Sequence, residues 1–216
     1  VQLLIAGKPV LISAGEVRYE AGMAIDADGS PCCYAPWGSG LPALDNLRNA
    51  LHRTDDDPTN PEHGWAGIKV DAIGKPIVQG PDDPAPGYYV TTTALVDRDR
   101  PDADPRRYVD SGAVPYIVVP QLLLRQGVML GDLALVAYRG TGRSSPAIVA
   151  DVGPPGKLGE GSVALAEALG IPSSARNGGA ERGVLYRIFL ESVGIPAWPR
   201  TAVDISAAVD ARASAT

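Results

Sequence analysis

Cysteine is nearly missing from this chain: its 216 residues hold two, Cys32 and Cys33, side by side. A bridge between neighbours is strained and closes no useful loop, so a disulfide framework is excluded. Two adjacent thiols without further donors do not complete a metal site either. Histidine is as scarce, with His52 and His63 alone, and no third nitrogen or sulfur donor stands nearby, so zinc is not expected and both read as surface residues. No run of 18 apolar residues occurs, which leaves no candidate membrane-spanning helix. The opening VQLLIAG is too short for the apolar core of a secretion signal, so no leader is visible in it. Ser144, Ser145 and Ser162 lack the G-x-S-x-G context of a serine hydrolase. The turn Gly140-Thr141-Gly142 lacks the Lys-Ser/Thr pair of a phosphate loop and reads as a hairpin turn. Positive charge is also short: 19 basic against 25 acidic residues, a net of −6. That balance disfavours nucleic acid and anionic membrane as partners and suits a cationic ligand.

What the chain has in quantity is glycine (25) and proline (20), beside 45% hydrophobic residues. The combination predicts a mainly β domain of short strands joined by tight turns, and the length suits one domain over 1–216. Leu3 to Ser13 and Glu16 to Tyr19 read as a hairpin-like start. Leu41 to His52 carries Leu44, Leu47 and Leu51 at helical spacing and predicts a short helix. Trp65 to Val70, Lys75 to Gln79 and Gly87 to Leu95 read as strands, with a proline-rich turn before the last and a charged surface loop, Asp97 to Asp110, after it. Leu133 to Tyr138 and Pro146 to Ala150 form a hairpin, Val184 to Leu190 a last strand, and Val203 to Ala215 a final helix or frayed end.

The most informative segment is AIVADVGPPGKLGEGSVALAEALGI, Ala147 to Ile171. It places Asp151 at the end of an apolar strand and Glu160 beyond a Gly-Pro turn, just before a helix that Ser162 caps and Gly170 ends. Burial at the strand end raises a carboxyl pKa, whereas unpaired N–H groups at a helix start lower it. Such divergence is what a general acid and base pair requires, and glycosidic bond hydrolysis needs little more. A turn-starting Asp and a solvated Glu are the plain alternative.

The segments Val114 to Pro120 (VPYIVVP), Gly131 to Ala137 (GDLALVA) and Ile148 to Leu169 resemble, in order, the core motifs of the glycoside hydrolase family 75 chitosanases. Ala24 to Gly29 (AIDADG) is similar to that family's acidic segment, and the resemblance runs over most of residues 24 to 190, strongest from 114 to 170. It implies Asp151 and Glu160 as the catalytic pair of an inverting, cofactor-free endo-hydrolase of β-1,4 bonds in chitosan, secreted from the cell. It also implies that Asp26, Asp28 and Tyr116 meet substrate. Charge-assisted hydrogen bonds to glucosamine ammonium groups suit the two aspartates, and an Asp-Gly turn at Asp28-Gly29 is the competing account. The strand-end Asp, Gly-Pro and Ser-started helix are similar to double-psi β-barrel proteins that act on polysaccharides, including lytic transglycosylases, family 45 endoglucanases and expansins. The expected fold is thus a six-stranded double-psi-type barrel with short peripheral helices and long loops, its core at about 65–190, a loop-rich part at 1–64 and a tail at 203–216. Asp151 is expected as acid and Glu160 as base, the reverse assignment staying open. A non-hydrolytic expansin-like binding barrel and a peptidoglycan lytic transglycosylase are the alternatives. Trp37, among loop-forming neighbours, is the candidate sugar-stacking platform, with a core role the alternative for it as for Trp65 and Trp198.

Overall fold

From Glu16 to Asp26 the side chains alternate, with Val17, Tyr19, Ala21, Met23 and Ile25 buried and Arg18 and Glu20 exposed. Period-two burial of this kind makes a strand with one face on a core. In the computed structural model, which describes residues 1–213, this strand is the organising element. It is preceded by β1 (Gln2–Ile5) and β2 (Lys8–Ser13) and is itself β3 (Glu16–Asp26). After a long excursion come β4 (Tyr116–Pro120), α1 (Gln121–Leu124), β5 (Leu133–Tyr138), β6 (Arg143–Gly153), β7 (Glu160–Ser162), α2 (Val163–Leu169), β8 (Ala180–Phe189) and α3 (Ala202–Ala213). The sheet order is β1-β2-β3-β7-β4-β6-β5-β8, and a further β3–β8 pairing closes its last six strands into a mixed barrel. This is the mainly β, six-stranded barrel with short helices that the sequence predicts. Closure removes the sheet edges there and leaves β1 and β2 as a flange.

The barrel interior is filled by the inward faces of β3, β4, β5, β6 and β8, and Leu165 and Leu169 of α2 belong to the same core. Tyr19 and Tyr186 stack inside it with ring centroids 4.6 Å apart. Ser162 caps α2 as expected, its Oγ accepting from the Leu165 N–H at 3.1 Å, and Gly170 ends it in the left-handed conformation. A second apolar layer lies outside β4 and β6, where Ile205 and Val209 of α3 pack with Ile148, Ala150 and Phe189. Among the described residues no helix is long and apolar enough to cross a membrane.

Three expectations need correction. The barrel does not begin near residue 65: β3 belongs to it, while residues 65–115 contribute no barrel strand. The three strands expected between Trp65 and Leu95 are isolated bridges, Ile68 with Thr91 and Val78 with Tyr89 among them. Pro76 removes a ladder donor inside the second of them, and side chains supplement the backbone bonds, as where Gln79 Nε2 donates to the carbonyls of Pro31 and Tyr89. The helix expected over 41–52 shrinks to one 3-10 turn, Leu47–Ala50, capped by Asn46. Of the expected tail, α3 forms to Ala213, and residues 214–216 lie outside the described residues.

Candidate active site

The outward side chains of four neighbouring strands, β3, β7, β4 and β6, floor a cleft of about 830 Å³. Loops at 45–54, 66–67 and 92–94 and the turn at 175–178 wall it. Outward residues on β3 are Ala24 and Asp26, since the alternating Met23 and Ile25 are in the barrel core. The parallel pairing of Ala24 with Glu160 puts the Glu160 side chain on the same outer face. The antiparallel pairing of Ile117 with Gly161 then sets Glu160 beside Val118, and Val118 pairs with Asp151 on its other side. Glu160, Val118 and Asp151 therefore form one row across three strands, with the two acids about 10 Å apart at the backbone, or two strand spacings.

Asp151 reaches that row through a bulge. Tyr116 pairs with Ile148 and Ile117 with Val149, but Val118 pairs with Asp151, so Ala150 has no opposite residue. Plain alternation from the core residues Ala147 and Val149 would send Asp151 into the barrel. The one-residue slip turns it to the outer face with Val118, since a shift of one in a period-two strand exchanges faces. The backbone N–H groups of Ala94 and Val152 both donate to its Oδ1, at 2.9 and 2.8 Å. Oδ2 is left as the oxygen to carry a proton. Burial pushes this carboxyl up to about 6 against the opposing pull of those two N–H groups, and the Glu160 charge raises it further. This is the desolvated strand-end acid that the sequence predicts. Glu160 opens β7 two residues before the cap of α2, and its Oε1 is held by the Lys157 ammonium at 2.5 Å. Its partner is a lysine on the preceding turn, where the sequence suggested the helix N–H groups.

Asp26 and Asp28 line the same cleft. The Asp28 N–H donates to Asp26 Oδ1 at 2.9 Å, which folds the chain after β3 back on itself. Burial raises both carboxyls well above the ordinary range, and the charges of Asp151 and Glu160 on Asp26, and of Asp26 and Asp151 on Asp28, add to it. As standing anions the two are thus disfavoured, and a bound cation would be what draws them into the charged form. Gly67 is pressed against Asp28: a Cβ there would come within 2.8 Å of its Oδ2.

Two expected substrate contacts are not in the cleft. Tyr116 is fully buried beneath it, and its hydroxyl donates to the Asp28 carbonyl at 2.9 Å, so it supports the acidic turn and does not face a ligand. Trp37 is 63% exposed but is no part of the cleft wall, so it is neither core nor platform for this site. Trp65 lies against Tyr89, and Trp198 packs on the outer apolar layer. Cys33 is buried and Cys32 half-buried, both as free thiols, and Cys33 Sγ donates weakly to Asp28 Oδ1 at 3.8 Å.

Several cleft residues escape the sequence reading. Asp45 accepts from Tyr34 Oη at 3.2 Å and from Asn49 Nδ2, while Arg176 donates to the carbonyls of Ala43 and Asp45. Arg176 is 131 positions from Asp45, and no local pattern could announce that contact. Lys157 stands three residues before Glu160, a spacing that could have been noticed. His52 lies at the exposed rim of the cleft. His63 is hydrogen-bonded to Asp56 at 3.1 Å, and with Glu62 these form a group of three ligand-type side chains, Glu62 and His63 exposed and Asp56 half-buried, none of which lines the cleft.

The arrangement can donate a proton from one side of a groove and accept one from the other, with further carboxyls suited to a cation along its floor. No family model and no curated protein matches the chain.

Proposed function

We propose that this protein is an endo-acting, inverting glycoside hydrolase that cleaves β-1,4 bonds of chitosan or a closely related amino-sugar polymer. The observation that carries the reading is the row Glu160–Val118–Asp151 on the floor of an open cleft. The two acids stand about two strand spacings apart at the backbone, on one face of the cleft, which supports a pair that works on a water and a leaving group from different sides. Asp151, protonated up to about pH 6, gives its proton to the glycosidic oxygen, and Glu160 takes one from water. A lytic transglycosylase uses one acid and no water-activating base, so the presence of Glu160 in the row favours hydrolysis. The surplus of acids in the cleft, Asp26, Asp28 and Asp45 besides the pair, favours a cationic glucosamine chain. No cofactor enters the scheme, and action on an extracellular polymer carries secretion with it.

The test is incubation with deacetylated chitosan, chitin, cellulose and peptidoglycan, with products followed by mass, reducing ends and the anomer first formed. The expected result is chitosan oligomers with an inverted anomeric centre. Asp151→Asn and Glu160→Gln should each lose roughly 10² to 10⁴-fold in rate. Products that retain configuration, or full activity in either variant, would refute the assignment.

A further inference from the structure

We propose that Lys157 is the positioning residue that aims Glu160 at the attacking water and that Gly153 is the residue whose missing side chain lets the Glu160 carboxylate lie across the groove; the inference rests on the hydrolase reading above. Glu160 has two oxygens, and Lys157 holds Oε1 at 2.5 Å. Oε2 instead lies over Gly153 on β6, where a Cβ on that glycine would come within 3.3 Å of it and 3.1 Å of Val118 Cγ1. Gly153 is two residues beyond Asp151 on the same strand and lines the same cleft. The free oxygen of the base is thus turned across the groove toward the strand of the acid, and it rests over Gly153 beside Val118. Gly153 is absent from the positive-φ glycines of the chain, so backbone conformation does not demand glycine here; the close approach of Glu160 and Val118 does.

The step balances without a further reactant. The water oxygen bonds to the anomeric carbon as one of its protons passes to Glu160 Oε2. The bond from that carbon to the glycosidic oxygen breaks with its electron pair left on oxygen, and Asp151 Oδ2 supplies the proton to it. Lys157 touches neither sugar nor water in this scheme. It is half-exposed on the turn that follows Pro154, where its N–H donates to the Pro154 carbonyl, so its replacement leaves the barrel core untouched.

The experiment compares kcat and KM on a glucosamine hexamer for Lys157→Met, Lys157→Arg, Gly153→Ala, Asp151→Asn and Glu160→Gln. The same variants are then given a glucosamine-disaccharide fluoride, whose leaving group needs no acid. Lys157→Met and Gly153→Ala should lose about tenfold in kcat with KM within twofold, because a shift of a few tenths of an ångström at the base spoils a geometry in which 1 Å costs about 10²-fold. Lys157→Arg should recover most of the loss. On the fluoride, Asp151→Asn should regain activity while Lys157→Met and Gly153→Ala stay slow, which separates the water side from the acid side. An inactive Glu160→Gln beside a Lys157→Met of wild-type kcat would overturn this inference alone, as would recovery of Lys157→Met on the fluoride. Full activity in Glu160→Gln would overturn the hydrolase reading and this inference with it.

Discussion

Asp151→Asn should make the protein inactive and, at neutral pH, more stable. The carboxyl is raised from 3.8 to about 6, chiefly by burial, and each tenfold weakening of an acid corresponds to about 1.36 kcal/mol. Between about pH 4 and 6 the folded chain keeps a proton that the unfolded chain has released, so stability falls as pH rises through that window and stays low above it. The cost at pH 7 is about 3 kcal/mol. An asparagine has no charge to desolvate, and its Oδ1 can still accept the Ala94 and Val152 N–H bonds. For a chain of this size about 3 kcal/mol moves Tm by roughly 6–12 °C. The assay is thermal unfolding of wild type and variant at about pH 3.5 and pH 7, followed by circular dichroism. The expected gain appears at pH 7 and vanishes at about pH 3.5, where both forms of residue 151 are neutral in the folded chain. A variant equally stable to wild type at both values would show that the carboxyl is not desolvated, and would remove the physical ground for Asp151 as the acid.

Three further outcomes are expected. Gly67→Ala drives a methyl group against Asp28, so KM for deacetylated chitosan should rise several-fold with kcat less affected, as steady-state kinetics will show. Trp37→Ala should leave KM unchanged within twofold, because Trp37 does not line the cleft; a large KM rise would restore it as a sugar platform. Binding of deacetylated chitosan, read by titration calorimetry, should release protons as Asp26 and Asp28 ionise against the ammonium groups, and should weaken with added salt. Salt-independent binding without proton release would exclude those two residues as the cation site.

Local chemistry alone determined a good part of this. The apolar run before Asp151 makes a strand, Ser162 and Gly170 bound a helix, and the Gly-Pro turn between them brings Glu160 back toward Asp151, all within 25 neighbouring residues. Alternation in β3 marks its inner face, and the desolvation of Asp151 follows from where its strand ends. Closure of the barrel by β3 on β8 joins residues more than 150 positions apart, and no period or turn signal in the sequence encodes that partner. The bulge at Ala150 is decided by pairing with β4, yet it alone determines whether Asp151 faces the core or the cleft, because one residue of slip exchanges the faces of a strand. Tyr116 is a ligand contact only by what the family resemblance implies, and in the fold it is buried with its hydroxyl on the Asp28 carbonyl. The loop layer from 27 to 110 is held by side-chain bonds and isolated bridges between distant residues, so its strand-like composition did not become strands. Sequence named the two acids; only tertiary pairing put them in one row, added Lys157, Asp26 and Asp28 around them, and laid the Glu160 carboxylate over Gly153.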